Sequence, residues 1–155
     1  MTTVPEVAIL VGLQASGKTT FYRHRLAATH VRVSKDAFRR NRRPQRRQMQ
    51  LIAEALGSGR SVAVDNTNPS PQEWNPIIAM ARAHGARVVG YWFAPDRAGS
   101  LRRNAARSGV ERVPDVGVFA TLKRLREPQH CDGFDRIFDV RFDGTGGFVV
   151  SERVG

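Results

Sequence analysis

A glycine-rich segment near the start of the chain has the residue types needed to hold a chain of phosphates. Residues 12–19 fit the pattern G-x-x-x-x-G-K-[S/T] and directly follow the apolar run at residues 7–11. In such a loop the backbone N–H groups cradle phosphate oxygens, Lys18 reaches the outer phosphates and the Thr19 hydroxyl joins the coordination of Mg²⁺. The loop therefore predicts binding of a nucleoside triphosphate with Mg²⁺. The predicted nucleotide contacts are Gly12, Leu13, Gln14, Ala15, Ser16, Gly17, Lys18, Thr19 and Thr20.

The segments that must position this loop alternate between strand and helix patterns. The predicted strands are 7–11, 31–33, 61–65, 86–93 and 137–142, and the predicted helices are 20–28, 44–56, 71–84, 97–106 and 116–126. Such alternation predicts an α/β fold, a parallel sheet of about five strands with helices on both faces. Ligands of open sheets of this type bind beyond the carboxyl ends of the strands. The glycine-rich tail at 144–147 is expected to loosen the C-terminus.

Length and composition limit the class of protein. The 155 residues fit a single domain, 1–155, with its own core. The single Cys131 excludes an internal disulfide and favours a reducing, cytoplasmic location, and the absence of a long apolar stretch argues against a membrane partner. The net charge of +11 is consistent with a polyanionic partner. However, only three of the 25 basic residues are lysines, a bias that GC-rich codons alone can produce.

Three further polar segments follow predicted strands or lie in a predicted helix. They are SKDAFR at 34–39, DNTNP at 65–69 and LRRNAAR at 101–107. Together with the glycine-rich loop, they resemble the polynucleotide 5′-hydroxyl kinase family of P-loop phosphotransferases and, more broadly, the small zeta-toxin-like kinases. The resemblance runs from about residue 7 to residue 142, and the motifs are in the family's order. It implies an ATP-dependent kinase whose helical lid carries arginines.

The resemblance implies a role for each polar residue. Asp36 would be the general base that accepts the proton of the attacking hydroxyl, and Arg39 would bind a phosphate of the acceptor. Arg103 and Arg107 would be lid arginines that reach the triphosphate, since residues four apart share a helix face; a solvated basic helix face is the alternative. Asp65 would help to hold Mg²⁺ with Thr19, or would instead pair with Arg39 or bond the loop.

The arginine run after Asp36 bears on the nature of the acceptor. Six of the nine residues from 39 to 47 are arginines, which is counter-charge suited to a nucleic-acid backbone but also found on solvated surfaces. The leading hypothesis is transfer of the γ-phosphate of ATP to the 5′-hydroxyl end of DNA or RNA. The alternatives are a kinase of a small hydroxylated molecule, such as a nucleoside, sugar or antibiotic, and a nucleotide-dependent binding module. The sequence indicates no oligomeric state.

Overall fold

The strand that precedes the phosphate-binding loop lies inside a six-stranded mixed sheet. In the computed structural model, which describes residues 4–155, the strands are in the order β2-β3-β1-β4-β5-β6. Strands β1 to β5 are parallel, whereas β6 is antiparallel to β5. The strands are β1 Glu6–Val11, β2 His30–Val33, β3 Ser61–Asp65, β4 Arg87–Phe93, β5 Arg136–Phe142 and β6 Phe148–Glu152.

The α-helices alternate with the parallel strands, as predicted. They are α1 Lys18–Phe21, α2 Pro44–Gly57, α3 Pro71–Ala83, α4 Arg97–Ala105 and α5 Asp115–Arg124. Helix α1 starts at Lys18, inside the glycine-rich motif, and continues as a wider turn over Tyr22–Leu26. A second proline, Pro76, lies inside α3, which starts at Pro71. Short 3₁₀ turns occupy Lys35–Phe38, Gly109–Glu111 and His130–Asp132.

Side chains of β1 alternate between two cores. Val7, Ile9 and Val11 face α2 and α3, whereas Ala8 and Leu10 face Phe21 of α1 and its neighbours. The five side chains from Val7 to Val11 are fully buried, as expected for a central parallel strand covered on both faces. The predicted α/β fold with helices on both faces is confirmed. Four aromatic residues are also buried in the two cores: Trp74, Tyr91, Trp92 and Phe93.

The C-terminal tail differs from the expectation. The segment 144–147 is a tight turn that leads into β6, so the sheet gains an antiparallel edge strand. The carboxylate of Asp143 fixes this turn because its Oδ1 accepts from the N–H groups of Thr145 at 2.7 Å and Gly147 at 3.0 Å. Gly144 has φ of 87°, in the left-handed region that glycine adopts without strain. The glycines at 144–147 therefore form the turn of a β-hairpin and do not loosen the C-terminus.

The carboxyl ends of four parallel strands meet at one edge of the sheet. The glycine-rich loop follows β1, the segment with Asp36 follows β2, and Asp65 ends β3. Strand β4 leads into α4 and α5, and the segment from α4 to α5 (residues 97–124) is called the lid below. Among residues 4–155, no helix combines the length and the apolar character that crossing a membrane requires.

Candidate active site

The glycine-rich loop has the backbone conformation of an anion-binding nest. Ala15 and Gly17 have φ of 57° and 94°, and tight turns of this kind turn successive N–H groups toward one concave side. A side chain at position 17 would also meet the ring of Phe142 at 2.8 Å, so both conformation and space require glycine there. At its start the loop is anchored to the end of β3, because the N–H of Gly12 donates to the carbonyl of Thr67 at 3.0 Å.

The side chain of Lys18, near the end of the glycine-rich loop, is buried and folds back onto that loop. Its Nζ donates to the carbonyls of Gly12 at 3.0 Å and Leu13 at 2.6 Å and to Oγ of Ser16 at 3.2 Å. Burial lowers the pKa of Lys18 to about 8, Asp65 and Asp36 raise it, and Arg107 lowers it further. The pKa of Lys18 therefore depends on the charges of both carboxylates and of the lid arginine Arg107. In this structure its three hydrogen bonds are all made to the loop itself.

We expect ATP binding to weaken above pH 8. Phosphate oxygens beside Nζ favour the protonated lysine, so its pKa is higher in the complex than the value of about 8 in the free protein. Above pH 8, binding must then take up a proton, and affinity falls by up to about tenfold per pH unit until the pKa of the complex is reached. Calorimetric titrations in buffers of different ionisation enthalpy measure both quantities. A constant affinity without proton uptake between about pH 7.5 and 9.5 would contradict this assignment.

Thr19 and Asp65 meet at the position expected for a metal site. The Thr19 hydroxyl donates to Oδ2 of Asp65 at 2.8 Å, and the Asp65 side chain is only 3% exposed. Nε of Arg32 donates to the same Oδ2 at 2.8 Å. Asp65 thus bonds the loop, as one alternative anticipated, but its arginine partner is Arg32 and not Arg39. Strand alternation explains this difference, since Arg32 projects from β2 beside β3, whereas Arg39 lies beyond the next turn.

Asp36 and Arg39 lie in the turn that follows β2. Oγ of Ser34 accepts from the N–H of Asp36 at 3.3 Å and caps this turn. The Asp36 carboxylate is 76% exposed, and its Oδ1 is 3.7 Å from Nη2 of Arg39. Arg39 also donates from Nη1 to the carbonyl of Val110 in the lid at 2.9 Å. The two predicted acceptor residues are therefore neighbours, and one of them connects the acceptor side with the lid.

A buried amide network holds the Asp36 turn in place. Oδ1 of Asn66 accepts from the N–H of Lys35 at 2.9 Å, and its Nδ2 donates to Oε1 of Gln48 at 2.8 Å. Gln48 is a polar residue of α2 that is only 1% exposed. Because buried polar groups are costly when unpaired, the network ties α2, the end of β3 and the Asp36 turn into one rigid unit. Gln48 could not be recognised from the sequence, since a single glutamine in an arginine-rich helix gives no local signal.

The two lid arginines do not share a helix face. Helix α4 ends at Ala105, and Asn104 ends it by bonding Val113: its Nδ2 donates to the Val113 carbonyl at 2.5 Å and its Oδ1 accepts from the Val113 N–H at 2.9 Å. Arg107 therefore lies beyond the helix and lines the central cavity. The Nε of Arg103 instead donates to the carbonyl of Ala15 at 2.6 Å, outside the cavity wall. The one-face geometry expected from the spacing is wrong for this reason.

We expect Arg103 to support the loop that binds the nucleotide. Its guanidinium stacks on the ring of Phe142, with 4.8 Å between the guanidinium carbon and the ring centroid. Replacement of Arg103 with Gln should weaken ATP binding roughly fivefold, because one hydrogen bond from a partly exposed guanidinium contributes about 1 kcal/mol. Arg102→Gln removes an exposed charge one residue away and is the matched control. Equal nucleotide affinities of the two variants would show that the contact with Ala15 does not shape the loop.

Many of the predicted residues, though not Arg103, converge on one cavity of about 800 Å³. Lys18, Asp36, Arg39, Asp65 and Arg107 all contribute to its wall. The loop residues in its wall are Gln14, Ala15, Lys18, Thr19 and Thr20. The side chain of Leu13 is buried in the protein, so this residue can offer a nucleotide only its backbone. Arg32 is a further wall residue that the sequence analysis missed; its position between two strand valines, Val31 and Val33, was its only signal.

Gln14 connects the loop with the lid. Its Nε2 donates to Oγ1 of Thr121 in α5 at 2.9 Å, and its Oε1 is buried and has no hydrogen-bond partner within residues 4–155. Thr121 is part of the same cavity wall. The loop therefore contacts the lid at two places, through Gln14 to α5 and through Ala15 to α4. Movement of the lid would be transmitted directly to the loop.

Comparisons with known proteins agree with this fold. The fold is similar to Kti12 of Chaetomium thermophilum in complex with ADP-AlF3, with a TM-score of 0.72, 16% identity and coverage of 88% of this chain and 89% of that one. A fungal RNA kinase matches with a TM-score of 0.69 and 14% identity over 90% of this chain, which spans 39% of that structure. A gluconokinase from Sinorhizobium meliloti 1021 matches with a TM-score of 0.59, 17% identity and coverage of 87% and 82%.

These similarities show the fold, which is that of the P-loop kinases. At the level of sequence, the family model AAA_33, described as an AAA domain, matches residues 7–128. That range contains the loop, the Asp36 turn, the end of β3 and the lid. The chain has a P-loop kinase-like fold and belongs to the AAA_33 family of AAA-domain proteins.

Proposed function

We propose that the protein transfers the γ-phosphate of ATP to a hydroxyl acceptor, and that this acceptor is the 5′-hydroxyl end of a nucleic acid. The observation that carries the proposal is the single cavity in which Lys18 of the loop and the exposed carboxylate of Asp36 both lie. A nucleotide switch needs the loop but needs no carboxylate on the opposite side. A kinase needs both a donor site and an acceptor base.

The donor half consists of the loop and Arg107. The loop N–H groups and Lys18 would hold the phosphates, and Arg107 would neutralise the charge that develops on the transferred group. The Thr19 hydroxyl and the Asp65 carboxylate are the hard oxygen ligands that Mg²⁺ prefers. Within residues 4–155 no cluster of three or more His, Cys, Asp or Glu residues could hold a metal. This fits Mg²⁺, which commonly binds through one carboxylate together with water and nucleotide phosphates and would supply further neutralisation of their charge.

The acceptor half consists of Asp36 and Arg39. As the acceptor oxygen forms its bond to the γ-phosphorus, the bond from that phosphorus to the β,γ-bridging oxygen breaks and ADP leaves. The proton of the acceptor hydroxyl passes to the Asp36 carboxylate. Arg39 would bind a phosphate next to that hydroxyl, and its contact with Val110 would couple acceptor binding to the lid. Catalysis is then largely positioning and electrostatic stabilisation, without a covalent enzyme intermediate.

Two observations favour a nucleic-acid acceptor. Arg39 lies at the wall of the cavity, and it starts a run of six arginines in nine residues. The fold similarity to an RNA kinase supports the same choice. The similarity to a gluconokinase favours the runner-up, phosphorylation of a small polyhydroxylated molecule by the same residues. A small sugar acid would use the cavity but would have no need of the arginine run.

A panel of acceptors tests the proposal. The protein is incubated with γ-labelled ATP, Mg²⁺ and one acceptor at a time: a 5′-hydroxyl DNA or RNA oligonucleotide, a nucleoside, a hexose or a sugar acid. We expect label transfer to an oligonucleotide with a kcat/KM at least about a hundredfold above that of any small alcohol. Preferred transfer to a sugar or sugar acid would identify the runner-up as the function. ATP binding without any transfer would favour the binding module.

A further inference from the structure

A second groove lies beside the active-site cavity, at the start of α2. It has a volume of about 500 Å³ and is lined by Asn41, Arg42, Arg43, Arg46, Arg47 and Gln50. It shares no lining residue with the central cavity. Four arginines thus line a shallow, open space that could receive a phosphodiester segment, and no catalytic step proposed above uses them.

The charge of this groove is not balanced by the protein. From residue 37 to residue 53 the chain has six arginines and no acidic residue. In the described part of the chain, residues 4–155, the side-chain ion pairs include none of the four groove arginines. Guanidinium groups in close proximity repel one another, and their planar N–H donors match phosphate oxygens. The groove is therefore suited to a ligand with several negative charges.

The groove has a fixed position relative to Asp36. Oδ1 of Asn41 accepts from the N–H of Arg43 at 2.9 Å, and Pro44 starts α2. Gln48, one residue after Arg47, connects α2 through Asn66 to the backbone of Lys35. A ligand in the groove is thus held in a defined place relative to the carboxylate next to Lys35.

The near end of the groove, at Asn41, is only a few nucleotides from Asp36. Asp36 and Asn41 are five residues apart, so their Cα atoms are at most about 19 Å from each other. At roughly 3.4 Å or more per phosphate along a strand, this distance corresponds to on the order of five phosphates or fewer. The helix turns in between shorten it further, because Ala37 and Asn41 both take part in tight-turn hydrogen bonds.

We propose that a nucleic-acid strand whose 5′ end lies at Asp36 continues past Arg39 into this groove, where the arginines bind internucleotide phosphates. This inference rests on the proposed function and extends it, because it makes the substrate a polymer and not a mononucleotide. No aromatic side chain lines the groove. The groove arginines therefore contact the phosphate backbone of the nucleic acid, which carries no sequence information. The groove accepts strands of any sequence for this reason.

Dependence of the reaction on strand length tests the groove. We measure kcat/KM for 5′-hydroxyl oligonucleotides of two, four, eight and about twelve nucleotides, with wild type and the Arg46→Gln/Arg47→Gln variant. For wild type, kcat/KM should rise roughly tenfold or more until the strand spans the groove, and the double variant should lose this rise. The control Arg60→Gln/Arg87→Gln removes two exposed arginines at the amino ends of β3 and β4, and it should keep the rise. Equal length profiles of all three proteins would overturn the inference.

Binding measured without catalysis separates this inference from the proposed function. Fluorescence anisotropy with a labelled single strand of about twelve nucleotides gives the slope of log K against log salt. Loss of two phosphate contacts should reduce that slope by about 1.4 in the groove variant and leave the control unchanged. A changed slope without any phosphorylation of oligonucleotides would support the groove and refute the proposed kinase function. Phosphorylation with an unchanged slope and an unchanged length profile would support the kinase and refute the groove. Thermal unfolding of both variants shows whether each is folded.

Discussion

Replacement of Asp36 with Asn is expected to lower kcat by about 10² to 10⁴, the range that a positioned general base contributes. Asn has nearly the same shape as Asp but cannot accept the proton of the acceptor hydroxyl. The Asp36 side chain is 76% exposed and its ion-pair partner is Arg39, which is not a loop residue, so its replacement should leave the loop unchanged. ATP affinity, measured by calorimetry, should therefore stay within about twofold of wild type.

The control for this variant is Asp115→Asn, which changes an exposed carboxylate outside the cavity wall. That variant should transfer phosphate at the wild-type rate. If Asp36→Asn retains full kcat, Asp36 is not the base. If it loses ATP binding together with transfer, the carboxylate acts on the donor side and the division of the cavity into donor and acceptor halves is wrong.

Replacement of Lys18 with Met should lower kcat/KM by about 10² to 10³, the effect of losing a preorganised charge at the transferred phosphate. The variant should nevertheless be as stable as wild type or more stable. The folded-state pKa of Lys18, about 8, lies below its ordinary value of 10.5, so the charged lysine opposes folding below pH 8. This opposition disappears as the pH rises from about 8 toward 10.5, and methionine removes it at every pH.

The measurements for this variant are the melting temperature and the kinetics. At pH 7 the Lys18→Met protein should melt at the same temperature as wild type or higher, and the difference should shrink as the pH is raised above 8. A large fall in melting temperature would mean that the three hydrogen bonds of Nζ outweigh the cost of burying its charge. Unchanged kcat/KM would remove Lys18 from the donor site.

The parts of the fold with strong local signals were predictable from the sequence. The apolar run at 7–11 is completely buried in β1, and the glycine pattern that follows it forms the loop between β1 and α1. Strand β6 was missed because the glycines at 144–147 dominate the composition there. The alternation of Phe148 and Val150, which pack on the same core, was the opposing signal.

The parts of the site that depend on contacts distant in sequence were not predictable. Spacing alone places Arg103 and Arg107 on one helix face, but Asn104 bonds Val113 and ends α4 before Arg107. The partner of Asp65 is Arg32, which is 33 residues away and on a neighbouring strand. Neither contact has a local pattern, because both arise when separate segments pack together.

Phosphorylation of 5′-hydroxyl ends with Asp36 as the base is tested most simply with two oligonucleotides, one ending in a 5′-hydroxyl and the other in a 5′-phosphate. Each is incubated with γ-labelled ATP and Mg²⁺, with wild-type protein and with Asp36→Asn. We expect label at the 5′ end of the hydroxyl-terminated strand and no label on the strand that already carries a 5′-phosphate. The rate of label transfer should be about 10² to 10⁴ lower with Asp36→Asn than with wild-type protein. Equal labelling of both strands, or no labelling of either by wild-type protein, would contradict the proposed function.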